Sequence, residues 1–171
     1  MKKTIATLSI LGVSLVAIAG GNPEHVKLPE NYKDEFSQYD TRNRGNGNQV
    51  AVLYANKTAT DSAAKGSSLA DGSTIVMEIY KKKMDENGKA MTGADGVFEK
   101  GKFAAIAVME KRSDWSAAYD AGLRSSDWGF AIYNTDGSPK ENKLDCASCH
   151  TPLTSQDYLF THSSLLDFVK K

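Results

Sequence analysis

The segment DCASCHTP, residues 145–152, contains the side chains of this chain that are best suited to chemistry: two cysteines separated by two residues, and a histidine directly after the second. Cys146 and Cys149 are also the only cysteines in the chain. A disulfide between them would close a very small loop, and the stabilisation from a disulfide falls as its loop shortens. A redox-active dithiol needs no histidine at the next position, and zinc would need four ligands.

The spacing C-x-x-C-H is the attachment signature of haem c. In such a site the two thiols form thioether bonds with the vinyl groups of haem, and the adjacent histidine becomes an axial ligand of the iron. The motif therefore predicts one haem c, bound covalently through Cys146 and Cys149, with His150 as the metal ligand. A disulfide and a redox dithiol remain the alternatives at this point.

The N-terminal segment has the pattern of a secretory signal peptide. Two lysines precede the apolar run Ile5–Ala19, which ends in an Ala-x-Ala sequence. This run is shorter than the roughly 20 residues that a spanning helix needs, which disfavours the alternative of an uncleaved membrane anchor. We therefore expect a signal peptide over residues 1–19 and a single haem-binding cytochrome domain over residues 20–171. The mature protein should lie in the periplasm without a membrane partner.

The amino-acid composition limits which classes of partner are expected. The chain has 171 residues, which suits one domain with a hydrophobic core. Lys and Arg together number 21, and so do Asp and Glu, so the formal net charge is zero. Nucleic-acid binders usually carry a basic patch, and this balance therefore predicts no nucleic-acid partner.

Hydrophobic periodicity predicts more strand than helix. Four segments alternate apolar and other residues with a period of two, which is typical of strands; they are 49–56, 73–81, 102–112 and 127–134. A short helix is predicted over 28–42, a short helix followed by a Gly-bearing turn within 58–72, and a closing helix over 155–171. The predicted fold class is α+β: a mainly antiparallel β-sheet with short flanking helices and a C-terminal helix, with the C-x-x-C-H motif just before it.

The position of the motif separates this chain from helical cytochromes. In small electron-transfer cytochromes the motif lies near the start, and a methionine ligand follows it. Here all five methionines precede Cys146. A four-helix cytochrome keeps its motif near the end but would need four long helices of period 3.6, which the strand patterns disfavour.

The combination of a late motif and a β-rich pattern resembles the cytochrome P-460 family, and within it the cytochrome c-prime-beta branch. The segments that carry the resemblance follow the family's order; they are LPENY at 28–32, VLYAN at 52–56, DGSTIVMEIYK at 71–81, DWGFAIY at 127–133, CASCH at 146–150 and DYLFTH at 157–162. The resemblance implies a periplasmic, homodimeric, β-rich monohaem cytochrome. Its iron would have the motif histidine on one side and an open or gas-binding position on the other.

Two positions depart from the pattern of the P-460 enzymes. Those enzymes carry a lysine that cross-links to the porphyrin, in a strand that reads DGTxxxKE, and Met77 stands at its position. An arginine that lines their distal pocket corresponds to Ala51 when the sequences are aligned on Tyr54. The resemblance thus implies that Met77 and Ala51 belong to the haem site, and it favours the c-prime-beta branch over hydroxylamine oxidation.

The expected function is binding of nitric oxide or carbon monoxide in an apolar distal pocket. A pocket lined by Ala51, Leu53 and Met77 offers no general base, and distal polarity decides what a haem does. Phe98 and Phe103 are weaker candidates for the lining, because both are better interpreted as core residues. The alternatives are a P-460-like oxidoreductase acting on hydroxylamine or nitric oxide, a haem peroxidase, and an electron carrier. A carrier would need a sixth ligand, and the weaker candidates for that role are Met109 and His162. The sequence does not identify a redox partner.

Overall fold

The computed structural model describes residues 21–66, 68–141 and 143–171. The predicted signal peptide, residues 1–19, lies outside the described residues. Within the described ranges, no helix has both the length and the apolar character needed to span a bilayer.

Within these described ranges, five antiparallel strands form one sheet, and their spatial order is their order along the chain. The strands are β1 (Ser37–Asn43), β2 (Gln49–Ala55), β3 (Thr74–Lys82), β4 (Lys100–Lys111) and β5 (Trp128–Tyr133). The helices are short; they are α1 (Tyr32–Glu35), α2 (Lys57–Ala64), α3 (Cys146–His150) and α4 (His162–Val169). The predicted α+β fold class and the four predicted strands are confirmed.

The predicted helix over 28–42 is wrong for most of its length. Only Tyr32–Glu35 is helical, and Ser37–Asn43 forms the edge strand β1, which pairs with β2. Phe36 between them is already extended, with φ −99° and ψ 148°. The sequence signal was weak because an edge strand exposes much of its surface, so β1 is polar and lacks apolar alternation. Its Ser, Thr, Asp and Asn residues are poor helix formers.

The short helix and the Gly-bearing turn predicted within residues 58–72 are both present, whereas the predicted closing helix is shorter than expected. Helix α2 begins where the Asn56 side chain accepts a hydrogen bond from the Ala59 backbone at 3.0 Å, as an N-cap does. It ends before Gly66, which has a positive φ of 67°. The closing segment holds only a 3₁₀ turn, Thr154–Gln156, and the helix α4. Asp157 and Tyr158 separate these two elements because both have positive φ, which no α-helix contains.

Alternation along the strands gives the sheet two different faces. One face, here called the site face, carries Leu53, Met77, Ala107 and Ile132, which lie directly opposite one another on four neighbouring strands. The helix α4 and the segment that contains α3 pack on this side of the sheet. The other face packs against the N-terminal residues, including Val26 and Tyr32. The sheet therefore separates two apolar clusters.

A buried carboxylate lies on the face opposite the site face. The Glu78 side chain is 2 % exposed and forms an ion pair with Lys33 at 2.7 Å. It also accepts hydrogen bonds from the hydroxyls of Tyr32 at 2.7 Å and Tyr80 at 2.8 Å. Burial alone raises the pKa of this carboxyl, but the donors from Lys33, Tyr32 and Tyr80 outweigh burial, so the pKa of Glu78 is lower than usual. Glu78 is therefore ionised at neutral pH.

We predict that ionised Glu78 stabilises the fold. The Glu78→Gln variant keeps the side-chain volume, and its free energy of unfolding at neutral pH should be lower by about 2 kcal/mol, within the roughly 1.5–3 kcal/mol of hydrogen bonds to charged groups. A carboxyl whose folded pKa is depressed stabilises the folded state above its unfolded pKa, here 4.5, and loses this contribution as the pH falls through the folded pKa. Urea unfolding at a series of pH values should show the gap closing in acid.

The matched control is Asp61→Asn, which removes the carboxylate of the exposed pair between Lys57 and Asp61. Exposed pairs contribute about 0–1 kcal/mol, so this variant should unfold nearly like the wild type at all pH values. A Glu78→Gln variant as stable as the wild type at neutral pH would contradict the prediction, and so would a gap that widens in acid.

Candidate functional site

A cavity of about 580 Å³ lies between the site face of the sheet and the segment 144–161. This volume is typical of ligand sites, which measure roughly 300–1,000 Å³. Strands β2 to β5 contribute only apolar side chains to its wall; these include Ala51, Leu53, Met77, Ala107, Phe130 and Ile132. The β2–β3 ladder pairs Ala51 with Ile79 and Leu53 with Met77, which explains why the two predicted residues Ala51 and Met77 share this wall.

The opposite wall carries the C-x-x-C-H motif on the helix α3. Positions i, i+3 and i+4 of a helix lie on one side, so Cys146, Cys149 and His150 all line the cavity. The helix is capped by Asp145, whose side chain accepts from the Ser148 backbone at 2.9 Å. No disulfide joins the two cysteines, and Cys149 is exposed. Burial raises the pKa of Cys146 to about 11, with smaller contributions from nearby charges.

The His150 ring is held in one orientation. It lies against Phe130 and Phe160, with ring centroids 4.8 Å and 4.9 Å away. Its Nδ1 is 2.7 Å from the carbonyl oxygen of Tyr158, and because a carbonyl can only accept, Nδ1 carries the proton. The lone pair of the neutral ring is therefore on Nε2. Burial lowers the pKa of His150, which keeps the ring neutral and able to bind a metal.

Two arginines of the β1–β2 hairpin, Arg42 and Arg44, also line the cavity. Arg42 forms an ion pair with Asp40 at 2.7 Å and lies directly across the ladder from Ala51. Arg44 donates to Gln49 at 2.6 Å, and burial lowers the pKa of its guanidinium. The cavity is therefore apolar along strands β2 to β5 and also carries two cations that the sequence analysis did not predict. The arginine missing at Ala51 has a counterpart on the neighbouring strand.

The two weaker pocket candidates, Phe98 and Phe103, do not line the cavity. Phe103 stacks on Tyr80, with ring centroids 4.8 Å apart on the opposite face, and Phe98 lies 5.3 Å from the Lys82 ammonium. Simple alternation along β4 would place Phe103 on the same face as Ala107. The β3–β4 register shifts between Ile79 and Tyr80, and this shift moves Phe103 to the other face. The aromatic side chains that do line the cavity are Phe130 and Phe160.

The two candidate sixth ligands are placed differently. Met109 lines the cavity on β4, in the row that contains Ile75 and Phe130. His162 begins α4 and does not line the cavity. Among the residues that the structure describes, no three His, Cys, Asp or Glu side chains come together as a metal site. A metal in this cavity would therefore depend on His150 and on ligands that a prosthetic group brings with it.

Sequence reasoning missed Arg42, Arg44, Phe130 and Phe160. The run Arg-Asn-Arg at 42–44 was a usable signal for two of them, but the helix predicted over 28–42 concealed the strand that precedes this run and pairs with Ala51. Phe130 lies on a predicted strand with every residue buried, so no polar alternation marked its side of the sheet. Phe160 follows the motif, but its position depends on the positive φ angles at Asp157 and Tyr158.

The chain matches the Cytochrome P460 family over residues 29–161, which is more than half of its length. The chain therefore belongs to the cytochrome P-460 family. The comparison with curated proteins gave no match. Membership in this family implies a haem cofactor.

The cavity fits haem in its volume and in its chemistry. Its size and apolar sheet wall suit a macrocycle, and Nε2 of His150 is the one ring nitrogen free to bind iron. The two thiols of the motif lie on the same wall as His150. Arg42 and Arg44 place two cations at the cavity, where they could pair with the carboxylates of haem.

Proposed function

We propose that this protein is a monohaem c-type cytochrome of the c-prime-beta branch that binds nitric oxide or carbon monoxide. Cys146 and Cys149 would attach haem c covalently, and Nε2 of His150 would bind the iron. When bound, haem supplies an iron whose second axial position can take a small diatomic gas. The observation that carries the proposal is the purely apolar contribution of strands β2 to β5 to the cavity wall.

The apolar wall favours a gas over a polar substrate. Acid–base catalysis needs a side chain that can take or give a proton within hydrogen-bond reach of the reacting atoms. The side chains that β2 to β5 present, among them Leu53, Met77 and Ala107, have no such group. An uncharged diatomic loses little hydration on entering such a pocket, whereas a polar substrate would lose hydrogen bonds to water that the wall does not replace.

Met77 supports the choice of the c-prime-beta branch. It lies at the centre of the site face, between Leu53 on β2 and Ala107 on β4, and it lines the cavity. The lysine of the P-460 enzymes would occupy this position and supply an amine for the porphyrin cross-link. A thioether cannot form that bond, so the haem of this protein would keep only its two cysteine linkages.

The arginines favour a second candidate function, that of a P-460-like oxidoreductase. Arg44 lines the cavity, donates to the neutral Gln49, and has no carboxylate within salt-bridge distance in the described part of the chain. A partly buried cation of this kind attracts an anionic or polar group. We assign that group to a carboxylate of haem. A polar substrate such as hydroxylamine is the alternative.

The proposal extends to location and assembly. The signal-peptide pattern of residues 1–19 supports a periplasmic protein. The family resemblance supports a homodimer, and the chemistry of haem iron requires a redox partner if the iron is to be reduced in the cell.

Covalent attachment gives a direct prediction. Replacing Cys146 and Cys149 with Ser should leave any bound haem extractable by acidified acetone, whereas the wild-type haem should stay with the polypeptide. The matched control is Ser148→Ala, which changes an exposed side chain of the same helix and leaves both thiols in place. Absorbance of the extracted and precipitated fractions measures the outcome. Complete extraction of haem from the wild type would contradict the proposed attachment.

The Met77→Lys variant separates the gas-binding protein from the enzyme. The wild type should bind nitric oxide and show negligible hydroxylamine oxidation, and its intact mass should correspond to two thioether linkages. The variant places an amine at the cross-link position. When a two-electron oxidant such as hydrogen peroxide is added to remove one hydrogen each from the amine and the porphyrin carbon, we expect an additional protein–haem bond and a red-shifted Soret band. Unless the amine reacts or reaches water, a buried lysine should also destabilise the fold by roughly 2–4 kcal/mol.

Met77→Leu serves as the control, because it changes the side chain without supplying an amine and conserves volume. It should keep the wild-type spectrum and mass. Robust hydroxylamine turnover by the wild type would overturn the gas-binding assignment and favour the oxidoreductase, and so would a third covalent bond between wild-type protein and haem.

A further inference from the structure

A strained turn follows the motif helix. Asp157 and Tyr158 have φ angles of 49° and 60°, so two consecutive residues other than glycine adopt the left-handed conformation. That conformation is unfavourable for residues with a Cβ atom, and consecutive examples persist only where the surroundings hold them. The turn therefore needs an anchor.

The anchor is a buried ion pair between Asp157 and Lys111. The two charged groups are 2.8 Å apart, and the side chains are only 9 % and 11 % exposed. Asp157 also accepts a hydrogen bond from the backbone of Leu69 at 2.8 Å, and Lys111 donates to the hydroxyl of Ser68 at 3.0 Å. The carboxylate is thus fixed from two directions.

The turn presents one group to the candidate site. The carbonyl oxygen of Tyr158, the second left-handed residue, accepts the Nδ1–H of His150 at 2.7 Å. The direction of this carbonyl group depends on the φ and ψ angles of Tyr158. The side chain of the neighbouring Asp157 anchors the turn and so fixes these angles. A hydrogen bond of this kind sets the orientation of a metal-binding imidazole and raises its basicity.

We propose that Asp157 and Lys111 are positioning residues for His150. Through the Tyr158 carbonyl, they hold the Nδ1 hydrogen bond and so determine how strongly Nε2 donates to a bound iron. This inference rests on the proposed function, in which His150 is the haem ligand. Lys111 lies at the end of β4, the strand that contributes Ala107 and Met109 to the cavity wall. The ion pair therefore connects the sheet wall to the wall that carries His150.

The burial of this pair argues for a role beyond stability. Two buried charges are costly to desolvate, and a buried pair is often no more stabilising than apolar side chains of the same volume. Here the pair is placed where it fixes the direction of one carbonyl group. An apolar pair at these positions could fill the volume, but it would not bind the Leu69 amide or fix the strained turn.

The test compares haem-loaded wild type with Asp157→Asn, with Lys111→Met and with the double variant. The iron–histidine stretching band of the ferrous protein, measured by resonance Raman spectroscopy, should shift to lower frequency in all three variants. The midpoint potential should rise, because a weaker donor stabilises ferric iron less.

The control Asp61→Asn breaks an exposed ion pair far along the chain from the motif and should leave the band and the potential unchanged. A single variant leaves one buried charge unpaired, and if it does not fold, the double variant, which has neither charge, decides the matter. An unshifted band and an unchanged potential in the folded double variant would overturn the positioning role. Failure of the proposed function would give a different result. The wild type would then show no iron–histidine band, or a band that persists in the His150→Ala variant.

Discussion

The carbonyl oxygen of Tyr158 accepts the Nδ1–H of His150 at 2.7 Å, and this hydrogen bond determines which ring nitrogen can face a metal. Without it the imidazole could carry its proton on either nitrogen and could turn between Phe130 and Phe160. With it, the lone pair is on Nε2 and the ring is neutral. The short helix α3, the strained turn and the buried ion pair of Lys111 with Asp157 all serve this geometry.

The two walls of the cavity contribute different kinds of side chain. The wall that includes α3 carries the reactive groups, namely two thiols and an imidazole, while strands β2 to β5 contribute only apolar surface. The polarity of a haem pocket decides between gas binding, catalysis and electron transfer. The same protein chain could therefore move from one of these functions to another through changes on the sheet wall alone, without altering the attachment motif.

The sequence was sufficient to predict the parts of the fold that depend on local pattern. The β2 and β3 segments alternate regularly, so the common face of Ala51, Leu53 and Met77 could be predicted and is observed. The spacing of the C-x-x-C-H motif predicts haem attachment, and the structure places Cys146, Cys149 and His150 on one wall of the cavity. By contrast, the sequence did not indicate β1, because an edge strand is polar. The position of Arg42 opposite Ala51 could therefore not be predicted either.

Other features could not be read from the sequence because they depend on backbone geometry. The register shift in the β3–β4 ladder puts Phe103 on the face opposite the cavity. The Tyr158 carbonyl has no sequence signal at all, because every residue has a carbonyl group and its direction depends on φ and ψ. The pairing of Lys111 with Asp157 joins residues that are 46 positions apart.

The optical spectrum of the reduced protein, recorded before and after addition of carbon monoxide, tests the central claim most directly. An iron bound by His150 with an open second position predicts a high-spin ferrous spectrum that changes on addition of the gas. A low-spin spectrum that is indifferent to carbon monoxide would contradict this account and indicate an electron carrier with a permanent sixth ligand, for which Met109 is placed in the cavity wall.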